Sequence, residues 1–186
     1  MKHLSLLLVT TALFALGCGG KSWKVVTPAS APDALRGATS ITYASSFDGV
    51  MIDGKSLDET LAAEKTPEDR ADLKASLDRM DESAFAALQK DAKVPVTRGD
   101  ATNAAGEAHL TIQYKDIVRG SHGPMGRATR VTAWLVWTRG GQPAGTIELK
   151  PSVGPSMYRP SRAQRMSVAA DYLGKIAAKY FASQQK

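Results

Sequence analysis

The chain has 186 residues, with 24 Lys and Arg against 18 Asp and Glu, a net charge of +6. That length suits one domain with a substantial core rather than a string of large ones. The single cysteine excludes an internal disulfide, and the basic balance favours anionic partners over cationic ones.

The first element has the order of parts of an export leader. Lys2, with His3 beside it, gives a short positive start. Leu4 to Leu16 carries no charge, but its thirteen residues fall short of the ~20 needed to span a bilayer. Ala15-Leu16-Gly17 then leads into Cys18, with a small residue where a peptidase must cut. This stretch resembles the lipobox of bacterial lipoproteins, departing from it at Ala15, where that pattern favours leucine. The resemblance implies cleavage before Cys18 and acylation of its sulfur. Chemistry agrees, because a lone thiol in an oxidising exported compartment has no internal partner. One buried acyl chain holds only marginally at ~0.8 kcal/mol per methylene, whereas lipoproteins of this type carry two or three. Gly19 stands where an aspartate would argue for retention at the inner membrane. The expected address is therefore the outer membrane, on its periplasmic side.

Residues 1–17 are thus expected to be the leader, 18–37 the lipidated cysteine and a flexible tether, and 38–186 a single domain. The tether reading rests on glycine, proline, serine and alanine in "GGKSWKVVTPASAPDALRG". Trp23, Val25 and Val26 would alternatively form a first strand or a patch touching the membrane. Ile41 to Ala44 reads as a strand, and "MIDGKS" as a turn. Ser56 with Glu59 forms a capping box. Thr66 caps a second start, with Pro67 at the first helical position and Glu68 and Asp69 where the helix dipole favours anions. From there Leu73, Leu77, Met80, Ala84 and Leu88 mark one stripe of a helix over about 67–91.

The second half changes period. "VPVT" reads as a short strand, and "HLTIQYKDIV" alternates with the two-residue period of another. In "RVTAWLVWT", Val131, Ala133, Leu135 and Trp137 point to one side. "RGGQP" turns that strand back into "AGTIEL" as a hairpin. Ser161 caps a last helix to about 182, with Met166, Ala169, Ala170, Leu173, Ile176, Ala177 and Tyr180 on one face. The expected fold is α+β: a two-layer sandwich of a mainly antiparallel sheet of four to five strands, with two long amphipathic helices on one face. The order of elements resembles small bacterial envelope lipoproteins with a strand–helix–meander–helix domain.

Charge is divided along the chain. Residues 48–93 hold twelve Asp and Glu against seven Lys and Arg, whereas residues 94–186 hold thirteen Lys and Arg against five acids. Two readings stand: a basic surface for anionic lipid, an anionic envelope polymer such as lipopolysaccharide or peptidoglycan, or an acidic partner protein; or basic strands facing an acidic helix, with charges that keep the surface soluble. Nucleic acid does not fit an exported protein. The loop "RGSHGPMGR" invites both a structural and a chemical reading. Gly120, Gly123 and Gly126 suit a hairpin connection. With Arg119, Ser121, His122 and Arg127 they would also make an anion-binding or partner-binding loop. It lacks the following helix and Gly-Lys-Ser/Thr ending of a phosphate loop.

Catalytic and metal motifs are sparse. Ser121 and His122 are neighbours in sequence, and Asp116 or Glu107 would have to supply the carboxylate of a triad. His109 opens a strand, which places it at the sheet surface or edge. Asp53 and Asp58 around Gly54 lack the spacing of a calcium loop. No His-Glu-x-x-His or Gly-x-Ser-x-Gly occurs. The expectation is a lipid-anchored envelope protein without catalytic residues, cofactor or metal, whose domain binds or supports another envelope component. The alternatives are a small periplasmic hydrolase at Ser121 and His122, or a carrier of an anionic ligand.

Overall fold

The structure is a computed structural model that describes residues 23–29, 33–101, 106–123 and 125–186. The leader, Cys18 and the first residues of the expected tether lie outside the described residues. Local signals place the helices. The Ser56 hydroxyl accepts from the Glu59 N–H at 3.2 Å and the Glu59 carboxylate accepts from the Ser56 N–H at 2.8 Å, opening α1 (Leu57–Ala63). Thr66 accepts from the Asp69 N–H at 3.0 Å and Pro67 begins α2 (Pro67–Asp91). A second capping box, Ser161 with Gln164, opens α3 (Arg162–Gln184). The expected stripes of α2 and α3 are buried along their whole length. Among the described residues no helix is long and apolar enough to cross a membrane.

The strands are β1 (Lys24–Thr27), β2 (Ser40–Ser46), β3 (Met51–Ile52), β4 (Lys55–Ser56), β5 (Val96–Arg98), β6 (Glu107–Val118), β7 (Thr129–Arg139), β8 (Gln142–Leu149) and β9 (Ser152–Val153). They make one sheet in the order β1-β8-β7-β6-β2-β5, with β3 beside β6 and β4, and β9 beside β7. The mainly antiparallel sheet of four to five strands is corrected here to a mixed sheet of nine strands among the described residues. Strand β2 runs parallel to both β5 and β6, and β3 parallel to β6. The cause is the crossover: α1 and α2 carry the chain back along the molecule, so the next strand enters in the direction of β2. The two-residue strands are too short to show any period.

The antiparallel meander β6–β7–β8 behaves as its alternation predicts. Val131, Ala133, Leu135 and Trp137 are buried, and Gly140 and Gly141 turn the hairpin with φ of 54° and 73°. Within the stretch read as a tether, the described residues 23–29 and 33–37 pack on the domain. Lys24 lies opposite Glu148 in β1, the Trp23 ring meets Tyr180 edge-on at 5.9 Å, and Leu35 is buried in the core. Tyr43, Leu110 and Trp137 lie side by side across β2, β6 and β7. Trp137 stacks on Phe181 of α3 at 5.7 Å, and Tyr43 meets Phe85 of α2 at 5.4 Å. Each such ring buried against a helix contributes ~2 kcal/mol.

Two glycines permit close approaches to the helices. A Cβ at Gly174 would run into the Ala84 carbonyl oxygen, so α3 crosses α2 with its backbone nearly touching. A Cβ at Gly145 would lie 2.7 Å from the Tyr180 hydroxyl. His109, expected at the sheet surface or edge, is instead buried at 7% exposure. Its Nε2 meets the Thr111 hydroxyl at 3.0 Å, while Nδ1 has no hydrogen-bond partner among the described residues. Desolvation lowers its affinity for a proton, although Glu107 and Asp100 act in the opposite direction.

Candidate functional site

The sheet ends in two loops, residues 119–128 between β6 and β7, and residues 154–161 between β9 and α3. One side chain joins them. Arg165 is completely buried, and its Nε donates to the Thr129 hydroxyl at 3.1 Å. Its Nη1 donates to the Arg159 and Pro160 carbonyls at 3.1 and 2.9 Å, and its Nη2 to the Ser121 carbonyl at 2.6 Å. The Thr129 hydroxyl donates in turn to the Arg119 carbonyl at 2.8 Å. Among the described residues no carboxylate pairs with this guanidinium. Burial, and then the nearby Arg162, hold its proton affinity below that of an ordinary arginine. Four protein acceptors in fixed positions replace the water it has lost.

The glycines of the first loop are fixed by sterics. Gly120 has φ of 74°, and a Cβ there would run into the Arg127 carbonyl oxygen and lie 2.8 Å from that of Ala128. A Cβ at Gly126 would lie 2.6 Å from the Ser121 carbonyl. The two arms of the loop can close only because both positions are bare. They are tied by Ser121 N–H to the Arg127 carbonyl at 3.3 Å and Arg127 N–H to the Ser121 hydroxyl at 2.6 Å. Gly123 has φ of 89° at the bend, and its carbonyl accepts from the Gly126 N–H at 3.3 Å.

The residues expected to form an anion loop therefore separate. Arg119 turns inward, pairing through Nε with Asp53 and through Nη1 with Glu64, both at 2.6 Å. Its burial disfavours the charge, but bonds to Glu64 and Asp53 outweigh that and raise its proton affinity. Arg127 remains exposed. Ser121 spends its hydroxyl on the Arg127 amide, and no contact joins it to His122 among the described residues. His122 is exposed and lines a cleft of about 310 Å³ with Asp69, Asp72, Arg79, Ser161 and Arg162. That cleft carries mixed charge. It holds no hydroxyl and imidazole within hydrogen-bond distance, the pairing nucleophilic catalysis requires. Among the described residues, no three His, Cys, Asp or Glu side chains gather as a metal site would.

The loop tips carry a feature that the sequence reading missed. Met125, Met157 and Tyr158 are 97%, 86% and 92% exposed, more than any other large hydrophobic among the described residues. Around them Arg127, Arg130 and Arg159 are exposed, and none forms an ion pair among the described residues. Arg127 and Arg130 line an open cleft of about 650 Å³ with Ser152 and Asp53, the latter already engaged by Arg119. The available sequence signal was "SMYRP", a hydrophobic pair between a serine and a proline, where neither strand nor helix can bury it.

No family model matches the chain, and no curated protein matches it. Among solved structures it is similar to a PelC dodecamer from Paraburkholderia phytofirmans at 11% identity and a TM-score of 0.44, covering 83% of this chain and 96% of that one. A point variant of the same PelC dodecamer is similar at 10% identity and a TM-score of 0.43, covering 83% and 95%. Likeness at this level carries no inference about role.

Proposed function

We propose that this protein is an envelope lipoprotein held at the outer membrane through Cys18, with a domain that serves as a non-catalytic binding module. We read that domain as a two-layer sandwich whose long helices share one face of the sheet. In this reading the loop end binds or supports another envelope component. The observation that carries it is the display of Met125, Met157 and Tyr158 beside Arg127 and Arg159 on loops clamped by one buried guanidinium, with Arg130 exposed at the adjoining start of β7. Exposed apolar side chains among unpaired cations mark a surface built for contact rather than for solubility alone. Clamped loops limit the entropy lost on binding.

The test has two parts. Intact-mass analysis of the native product reads whether residue 18 is the acylated first residue. Affinity capture from membranes then compares the native protein with an Arg127→Glu/Arg159→Glu variant. An acylated Cys18, with an envelope component retained by the native form and lost by the variant, is the expected result. An unacylated residue 18, or capture indifferent to the charge reversal, removes the reading.

A further inference from the structure

The direction of β1 gives the loop end a second meaning. Strand β8 runs towards the loop end, since Leu149 faces Ala133 and the chain continues until Ser152 faces Arg130 near the start of β7. Strand β1 is antiparallel to β8, with Lys24 opposite Glu148 and Thr27 opposite Thr146. It therefore runs away from the loop end, and Lys24 is its end nearest those loops. Cys18 precedes Lys24 by six residues, a contour of at most about 20 Å. Lys24 is level with Trp134, and Thr129 at the loop end is five residues further along β7, about 17 Å at strand spacing. An anchor at Cys18 and the loop end thus lie within reach of the same plane.

We propose that the loop end docks on the anionic phospholipid headgroups of the bilayer that holds the Cys18 anchor. This deepens, and rests on, the reading of the chain as a lipoprotein with a binding surface at that end. The chemistry of the tips fits such a surface. Tyr158 has an amphipathic ring suited to the headgroup level, and Met125 and Met157 can enter the acyl boundary. Among the described residues Arg127, Arg130 and Arg159 form no ion pair, while Asp53 and Glu64 are engaged by Arg119. Each such cation strengthens contact with an anionic leaflet about fivefold. The anchor supplies a high local concentration, so a weak individual contact suffices.

The test couples the full chain through its only thiol, Cys18, to a maleimide-headgroup lipid. The vesicles contain phosphatidylcholine alone or phosphatidylcholine with phosphatidylglycerol. Hydroxyl-radical footprinting with mass spectrometry then uses Met125 and Met157 as native reporters. Several-fold lower oxidation in the anionic vesicles is expected, with the difference lost at high salt. It should also be lost in the Arg127→Glu/Arg159→Glu variant, where removing two attractive cations alone costs about 25-fold. Equal oxidation in the two vesicle types overturns the proposal. So does protection that appears only when a second envelope protein is added, which would make the surface a protein interface. Chemical coupling makes this result independent of acylation in the cell, so an unacylated native product removes the lipoprotein reading alone.

Discussion

Substituting Gly174 by alanine sets two opposed effects against each other, and the structure decides between them. Inside a helix, Gly→Ala normally stabilises by ~1 kcal/mol because the unfolded chain has less freedom to lose. At this position the new Cβ would run into the Ala84 carbonyl oxygen and lie 3.0 Å from both the Ala84 carbonyl carbon and Ala87 Cβ. Ordinary carbon–carbon contact begins near ~3.5 Å, so α2 and α3 must part by at least about half an ångström. Two of those three contacts are backbone atoms, which cannot rotate away. Such overpacking costs ~1–3 kcal/mol, leaving a net loss of up to ~2 kcal/mol after the helix gain. A chain of this size should then melt lower by up to about 8 °C. Thermal unfolding followed by circular dichroism reads the shift, with Gly154→Ala as control because a Cβ there meets nothing. A higher melting temperature for Gly174→Ala would refute the close helix crossing.

The other changes test the loop clamp and a buried titratable group. Arg165→Met keeps the apolar stem but strips the donors from four acceptors, and should cost about 2–4 kcal/mol in chemical denaturation. Faster amide exchange across residues 119–128 should accompany it, and unchanged exchange there would show that the clamp does not hold the loop. His109 has a folded-state proton affinity below its unfolded one. The unfolded chain therefore takes up more protons as pH falls, and the stability this residue contributes, present above about pH 6.5, is lost as pH drops towards the folded pKa. Melting temperatures measured between pH 7.5 and 5 should fall, and the slope should flatten in His109→Gln. A slope identical in both proteins would place the titration elsewhere.

Much of the fold was legible because its signals are local. Ser56 with Glu59, Thr66 with Pro67, and Ser161 each satisfy the open amides of the helix they begin, and they can do so only within three residues. Gly140-Gly141 marks its hairpin for the same reason. Chain direction is not local. Whether β2 pairs parallel or antiparallel with β6 depends on the path taken by α1 and α2, which no short stretch encodes. Burial of His109 was also invisible, because its neighbours Glu107 and Thr111 suit an exposed strand equally well. Arg165 left a fainter trace. It sits four residues before Ala169 and eight before Leu173, in step with the buried stripe of α3. A charge at that spacing ordinarily signals the stripe's end, whereas here it continues inward to four oxygens.

The uneven division of charge also resolves once side chains have positions. The two sequence readings, basic strands facing an acidic helix or a basic surface left open, are each satisfied by different arginines. Arg98 pairs with Asp81 and Glu82 of α2 and lies over the Phe85 ring at 4.4 Å, and Arg119 pairs with Glu64 and Asp53. Those cations are neutralised within the fold, and Arg165 is consumed by the clamp. Arg127, Arg130 and Arg159 have exposed side chains and form no ion pair among the described residues. Exposed lysines without an ion pair among the described residues, such as Lys55, Lys74, Lys90 and Lys179, lie elsewhere on the molecule. These three arginines stand on or beside the two loops that also carry the most exposed methionines and tyrosine among the described residues. Arg119 and Arg165 fix the position of those loops, so the fold spends internal positive charge on rigidity where three exposed arginines are displayed.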